Sequence, residues 1–187
     1  MAGSSLKVPA RILKRAKRVR LLLMDVDGVI TDGRVYLMSV ASAGAAAEMK
    51  VFDAHDGAGL KLAHLMGIKT GFITGRSSVA MAQRAHEVSA DFLFQGQAEK
   101  MNAFRECVRR ADVREDEVAY VGDDLPDLPL MERAGLAVAV ANATPEVKDA
   151  AHYVTKAEGG HGAAREVVEL ILKAQGRWKA AIPKALA

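Results

Sequence analysis

The alternation of apolar and polar positions is sharpest early in the chain. Leu21-Leu22-Leu23-Met24 runs without a polar break into Asp25-Val26-Asp27-Gly28, and Thr31-Asp32-Gly33 follows. A continuous apolar run ended by turn residues predicts a strand buried on both faces, and therefore a parallel sheet covered by helices. Residues 34–52 hold two short β-prone runs around a small-residue tip and predict a hairpin standing over the end of that strand. Leu60, Leu62, Ala63, Leu65 and Met66 predict a helix ended by Gly67. The pattern then predicts a strand over 68–73, a helix capped by Ser77 or Ser78 and running to Glu87, and a strand over 91–94. A helix follows over 98–110, with Phe104, Cys107 and Val108 inward, then a strand over 118–121 and a helix reaching Ala134. A strand over 136–140, a short helix opened by Pro145, an edge strand over 152–154 and a helix over 163–174 complete the series. Strands and helices alternating at these lengths give an α/β fold: a Rossmann-like, doubly wound, mostly parallel sheet with helices on both faces, a hairpin inserted after the first strand, and no cap domain.

Composition adjusts this picture in three places. At 187 residues, with half of them hydrophobic and 26% charged, the chain suits one well-buried domain spanning 1–187. No apolar run approaches the ~18 residues of a membrane span, and no signal-peptide core follows the basic start. Cys107 stands alone, which excludes an internal disulfide and fits a reducing cytoplasm. The net charge of +3 is unevenly placed: Lys7, Arg11, Lys14, Arg15, Lys17, Arg18 and Arg20 all precede the first acidic residue. With Ile12, Ala16 and Val19 at helical spacing, Pro9 at the first turn and no interleaved aromatic residue, residues 1–18 read as a basic amphipathic helix with a solvated face. They do not read as a nucleic-acid or membrane contact.

The candidate chemistry sits at the ends of the strands. Ligands of open α/β sheets bind beyond the carboxyl ends of the strands, where Asp25 and Asp27 fall. Two carboxylates so close repel unless a cation or a shared proton relieves them, and Mg2+ favours one or two carboxylates, water and a phosphate. An Asp can also attack phosphorus as a nucleophile while a second Asp protonates the leaving oxygen. A Ca2+ loop is excluded, because its fifth, sixth and twelfth positions would be Val29, Ile30 and Tyr36. Alone, the pair could equally be a turn or a helix cap. Three later strand ends add to it: Thr74 and Gly75 for a phosphate oxygen, Lys100 as a compact cation, and Asp123-Asp124 as a second anionic centre for the metal.

In this order the motifs, D-x-D-G-V, I-T-G-R, a lysine and G-D-D-x-x-D, resemble those of the haloacid dehalogenase superfamily over nearly the whole chain. The resemblance implies a Mg2+-dependent phosphatase with Asp25 as nucleophile and Asp27 as acid/base. Thr74 and Lys100 would hold the phosphoryl group. Asp25, Asp123 and the main-chain carbonyl of Asp27 would ligate the metal, with Asp124 and Asp127 supporting. Residues 27–33, the absent cap, Phe52 with Asp56-Gly57, residues 73–76, Phe94-Gln95-Gly96 and residues 159–166 narrow the resemblance to a capless subfamily. Its substrates are phosphorylated eight-carbon 2-keto-3-deoxy sugar acids of lipopolysaccharide precursor synthesis.

That subfamily implies a homotetramer in which the hairpin and the C-terminal tail, here 175–187 with Trp178 and Leu186, close neighbouring sites. Gly75, Arg76, Gly160 and His161 would join Thr74 and Lys100 in holding the substrate. Two departures stand out: His161 replaces an expected arginine, which would bind a carboxylate bidentately, and the hairpin tip is alanine-rich. The alternatives are a phosphatase for nine-carbon, sialic-acid-type substrates, which Arg76 disfavours, a phospho-Asp receiver, and a non-catalytic assembly module. In a receiver the acidic pair precedes the phosphorylated Asp, whereas here Asp123-Asp124 comes last.

Overall fold

Strand β1 (Leu21–Met24) is buried along its whole length and forms the middle of the sheet, as its unbroken apolar sequence requires. The computed structural model describes residues 8–39 and 46–184, so Lys7, the hairpin tip and Leu186 lie outside the described residues. Six strands pair in parallel in the order β5-β4-β1-β6-β7-β8. They are β4 (Lys69–Ile73), β5 (Phe92–Phe94), β6 (Val118–Gly122), β7 (Leu136–Ala139) and β8 (Tyr153–Val154) beside β1. The chain steps outward from β1 to β4 and β5, then crosses back to β6 and continues outward to β8. That reversal falls between the carboxyl ends of β1 and β6, the place where doubly wound sheets bind ligands.

Helices cover both faces. Helices α1 (Ala10–Ala16), α2 (Ala54–Leu65), α7 (Ala163–Ala174) and α8 (Trp178–Lys184) pack together, and α4 (Met101–Ala111), α5 (Leu128–Arg133) and α6 (Pro145–Ala150) form the other layer. Helix α3 (Val79–Glu87) follows β4, with Ser78 as its N-cap accepting from the Met81 N–H at 3.3 Å. In α4, Ala103, Phe104, Cys107 and Ala111 are buried, so the expected inward face is present; Val108 is only half-buried.

Strands β2 (Tyr36–Ser39) and β3 (Ala46–Met49) form the expected antiparallel hairpin between β1 and α2. The first helix is shorter than its charge pattern suggested. Pro9 lies outside it with extended backbone (ψ 141°), and Val19, though buried, lies past its end. The closing segment is helical: the Trp178 ring of α8 receives Arg165 and Lys173 at 5.4 and 5.1 Å.

Candidate active site

Each strand ends by delivering one functional group to the same edge. Asp25 continues β1, and its N–H donates to the Val121 carbonyl of β6 at 3.0 Å. The register pairs Met24 with Phe72 and with Val121, so Thr74 and Asp123 emerge beside the Asp25-Val26 step from the two flanking strands. Lys100 caps the start of α4 and sends its buried ammonium between two acids, 2.9 Å from Asp25 Oδ1 and 2.8 Å from Asp127 Oδ1. Lys100 and Asp25 form a buried ion pair, and Asp25 Oδ1 has no other hydrogen-bond partner among the described residues.

Asp127 is fully buried and fully used. Its Oδ1 accepts from Tyr120 Oη and Lys100 Nζ, both at 2.8 Å, and its Oδ2 from the N–H groups of Asp123 (3.0 Å) and Asp124 (3.4 Å). Oxygens of Asp25, Asp123 and Asp127 lie within 4.8 Å of one another, as a shared cation requires. With both Asp127 oxygens already occupied twice, that residue anchors Lys100 and the 123–124 turn, and Asp25 and Asp123 are left to face the cation. The Lys100 ion pair aside, both retain a buried carboxylate oxygen without a hydrogen-bond partner among the described residues. Two unfilled hard oxygen donors of this kind fit Mg2+.

The electrostatics agree. Burial and the Asp127 charge push Asp25 up to about 6, against the pull of Lys100. Burial and the charges of Asp25, Asp127 and Asp124 push Asp123 up to about 7. Burial works against a charged Lys100, but Asp127 and Asp25 outweigh it and hold its pKa above the usual lysine value. These carboxylates are crowded, and a divalent ion would relieve them.

Gly28 makes the crowding possible. Its φ is +90°, and a Cβ there would lie 2.0 Å from Asp123 Oδ2. Thr74 is buried, and its N–H is spent on the Phe94 carbonyl (2.9 Å), so the N–H there is not available to a phosphate. Its hydroxyl accepts weakly from the Arg76 N–H at 3.4 Å.

Asp27 is not part of the Asp25-Asp123-Asp127 cluster. Its Oδ1 pairs with Lys50 Nζ and its Oδ2 lies 3.7 Å from Arg76 Nε. Arg76 in turn reaches Glu48 of β3 at 2.7 Å, so the hairpin does stand at the site. Residues 159–162 press on the loop after β1: the Gly160 N–H donates to the Val29 carbonyl (3.0 Å), and a Cβ on Gly159 would fall 1.8 Å from the Gly28 carbonyl oxygen. Asn142 clamps the two loops, donating to Gly28 O (3.0 Å) and accepting from Gly159 N (2.6 Å). His161 is exposed, with Nδ1 2.9 Å from the Gly159 carbonyl oxygen.

Thus Lys100 pairs with Asp25, an Asp123 oxygen lies within 4.8 Å of Asp25, and Asp27 lies 3.7 Å from Arg76. Thr74 and Gly75 follow the strand beside Asp25, and Gly160 and His161 belong to a loop packed on the exit of β1. Sequence reasoning missed Lys50 and Asn142. The first sits in what reads as an ordinary strand, and the second carries no motif.

A family model described as haloacid dehalogenase-like hydrolase matches residues 73–167. The chain is also 41% identical over 181 residues to 3-deoxy-D-manno-octulosonate 8-phosphate phosphatase KdsC of Escherichia coli strain K12, covering 94% of each. The chain belongs to the haloacid dehalogenase-like hydrolases. Among solved members of this family, the Yersinia pestis 3-deoxy-D-manno-octulosonate 8-phosphate phosphatase superposes with a TM-score of 0.88 at 40% identity, over 92% of this chain and 90% of that one. The Moraxella catarrhalis enzyme, solved with magnesium, phosphate and Kdo, gives 0.86 at 38% identity, over 92% and 97%. The haloacid dehalogenase-like fold therefore extends over 92% of the chain.

Proposed function

We propose that the chain is a Mg2+-dependent phosphatase that converts 3-deoxy-D-manno-octulosonate 8-phosphate to 3-deoxy-D-manno-octulosonate and phosphate, within lipopolysaccharide precursor synthesis. The observation that carries this reading is the meeting of Asp25, Lys100 and Asp123 at the sheet's reversal, in a chain 41% identical to a phosphatase of that name. Asp25 attacks phosphorus in line, forming an Asp25 O–P bond as the P–O8 bond breaks, and Asp27 gives its proton to the departing sugar oxygen. Asp27 then takes a proton from the water that cleaves the aspartyl-phosphate, which regenerates Asp25 and releases phosphate. Thr74, Gly75 and Lys100 hold the phosphoryl oxygens in place for both steps. Mg2+, held by Asp25, Asp123 and the Asp27 main-chain carbonyl, would offset the charge gathered on those oxygens when bound.

Arg76, Gly160 and His161 bind the sugar-acid end in this reading. The described hairpin exposes Val35, Leu37, Met38, Met49 and Val51, an apolar surface suited to the subunits of a homotetramer. The unit is a single domain over 1–187. No helix among the described residues is long and apolar enough to cross a membrane, and a lone buried Cys107 suits the cytoplasm.

The deciding experiment compares kcat/KM for eight-carbon and nine-carbon keto-acid phosphates with Mg2+ present, alongside Asp25→Asn. The eight-carbon substrate is expected to lead by tenfold or more, and Asp25→Asn to retain no more than about a hundredth of wild-type kcat with its fold intact. A nine-carbon preference overturns the substrate, and an active Asp25→Asn overturns the mechanism. Sedimentation equilibrium on the same preparation reads the tetramer.

A further inference from the structure

Four side chains of alternating charge form a closed ring at the edge of the site. Asp27 Oδ1 pairs with Lys50 Nζ, Lys50 Nζ lies 3.6 Å from Glu48 Oε1, Glu48 Oε1 accepts from Arg76 Nη2 at 2.7 Å, and Arg76 Nε lies 3.7 Å from Asp27 Oδ2. Two members come from the hairpin, one from the turn after β1 and one from the turn after β4. The Lys50 side chain is only 3% exposed, and Asp27 and Glu48 are each 18% exposed. A lysine so withdrawn from water needs a reason, because burying its ammonium costs hydration that only close carboxylates restore. Glu48 alone does not supply it at 3.6 Å; the tight partner is Asp27.

A free aspartate rotates about two side-chain bonds, and a general acid must point at one atom. Here Lys50 holds one carboxylate oxygen, and the other, 3.7 Å from Arg76 Nε and not hydrogen-bonded to it, is left to carry the proton. The hairpin carries the cation, and Glu48 supplies that cation with a second counter-charge from the same strand. Seating of the hairpin and aiming of Asp27 are then one event.

We propose that Lys50 is the positioning residue for Asp27, orienting the acid/base toward the leaving oxygen through the Asp27-Lys50-Glu48-Arg76 ring. The inference rests on the phosphatase reading above. Its signature is dependence on the leaving group: a sugar alkoxide needs the proton from Asp27, whereas p-nitrophenolate departs without one. Lys50→Met is expected to lower kcat for 3-deoxy-D-manno-octulosonate 8-phosphate by about thirtyfold or more while KM moves less than about threefold. The first turnover of p-nitrophenyl phosphate, read by rapid quench, should stay within about threefold of wild type. Lys50→Arg, which keeps a cation at the ring, should recover most of the lost kcat.

Should Lys50→Met not fold, Glu48→Gln serves in its place, with a smaller loss of about three- to fivefold confined to the alkoxide substrate. Equal losses on both substrates would mean a purely structural lysine and would overturn the proposal, as would wild-type kcat in Lys50→Met. If the wild-type protein hydrolyses neither ester with Mg2+, the phosphatase reading itself fails, a result distinct from either of these.

Discussion

Gly28 and Asp123 show how little room a single position has at this site. The left-handed backbone at Gly28 lets Asp123 come so near that a methyl group would overlap its carboxylate. Gly28→Ala must therefore push Asp123 aside or untwist the turn after β1, and either moves one of the two carboxylates left free for the cation. The expected outcome is a fall in Mg2+ affinity of about tenfold or more, read as a rightward shift in a Mg2+ titration of activity. An unshifted titration would mean that Asp123 is dispensable for the metal. At this scale the sequence announced its strand-end residues well, because D-x-D-G-V and G-D-D each sit where an apolar run stops. Lys50 was silent for a physical reason: Glu48-Met49-Lys50 reads as plain alternation along a strand. Its partner Asp27 lies 23 residues back, brought near only by the fold of the hairpin.

Elements hold these residues through their ends. Helix α7 begins at the glycine-rich turn, where Gly162 has φ +95° and offers no capping side chain of its own. The cap comes from α2 instead: Asp56, nearly inaccessible, accepts the Gly162 N–H at 3.2 Å and the Arg165 N–H at 2.9 Å. Burial raises the Asp56 pKa, and those amide donors work in the opposite direction. Asp56→Ala leaves two donors at the start of α7 unanswered and is expected to cost about 1–2 kcal/mol in a denaturant titration. A change below about 0.5 kcal/mol would show that water caps the helix equally well.

The extent of α7 was legible from its apolar spacing, whereas the origin of its cap was not, since 106 residues separate donor from acceptor. The first helix shows the opposite failure. Its apolar spacing continued to Val19, but the backbone stops being helical after Ala16 and Val19 packs from an irregular segment.

For the molecule as a whole, the crowded carboxylates make stability and metal affinity depend on pH in opposite senses. Without metal, Asp25 and Asp123 ionise near 6 and 7 in the folded protein, well above their value of 3.8 in the unfolded chain. The folded state then binds more protons between about pH 4 and 7, so stability conferred by these groups is lost as pH rises through that window. Mg2+ competes with the same protons, so its affinity grows as pH climbs through 6 to 7. Scanning calorimetry should find Tm of the metal-free protein falling from pH 5.5 to 8, and a larger Mg2+-induced rise at pH 8 than at pH 5.5. Equal rises at both values would show that protons and metal do not share these oxygens.

Alternating strands and helices announced a doubly wound parallel sheet, whereas the order β5-β4-β1-β6-β7-β8 is known only from the pairing in the folded chain. The apolar faces of the hairpin that suit subunit contacts are visible only once the chain is folded. Because β1 is the first strand of the chain yet lies between β4 and β6, it emerges from the ribosome with neither neighbour made. Its four apolar residues have to be sheltered until some hundred more residues have been translated. A nascent chain halted before β6 would display that strand along one side, an open edge for wrong pairing that closes only when Val118–Gly122 has been made.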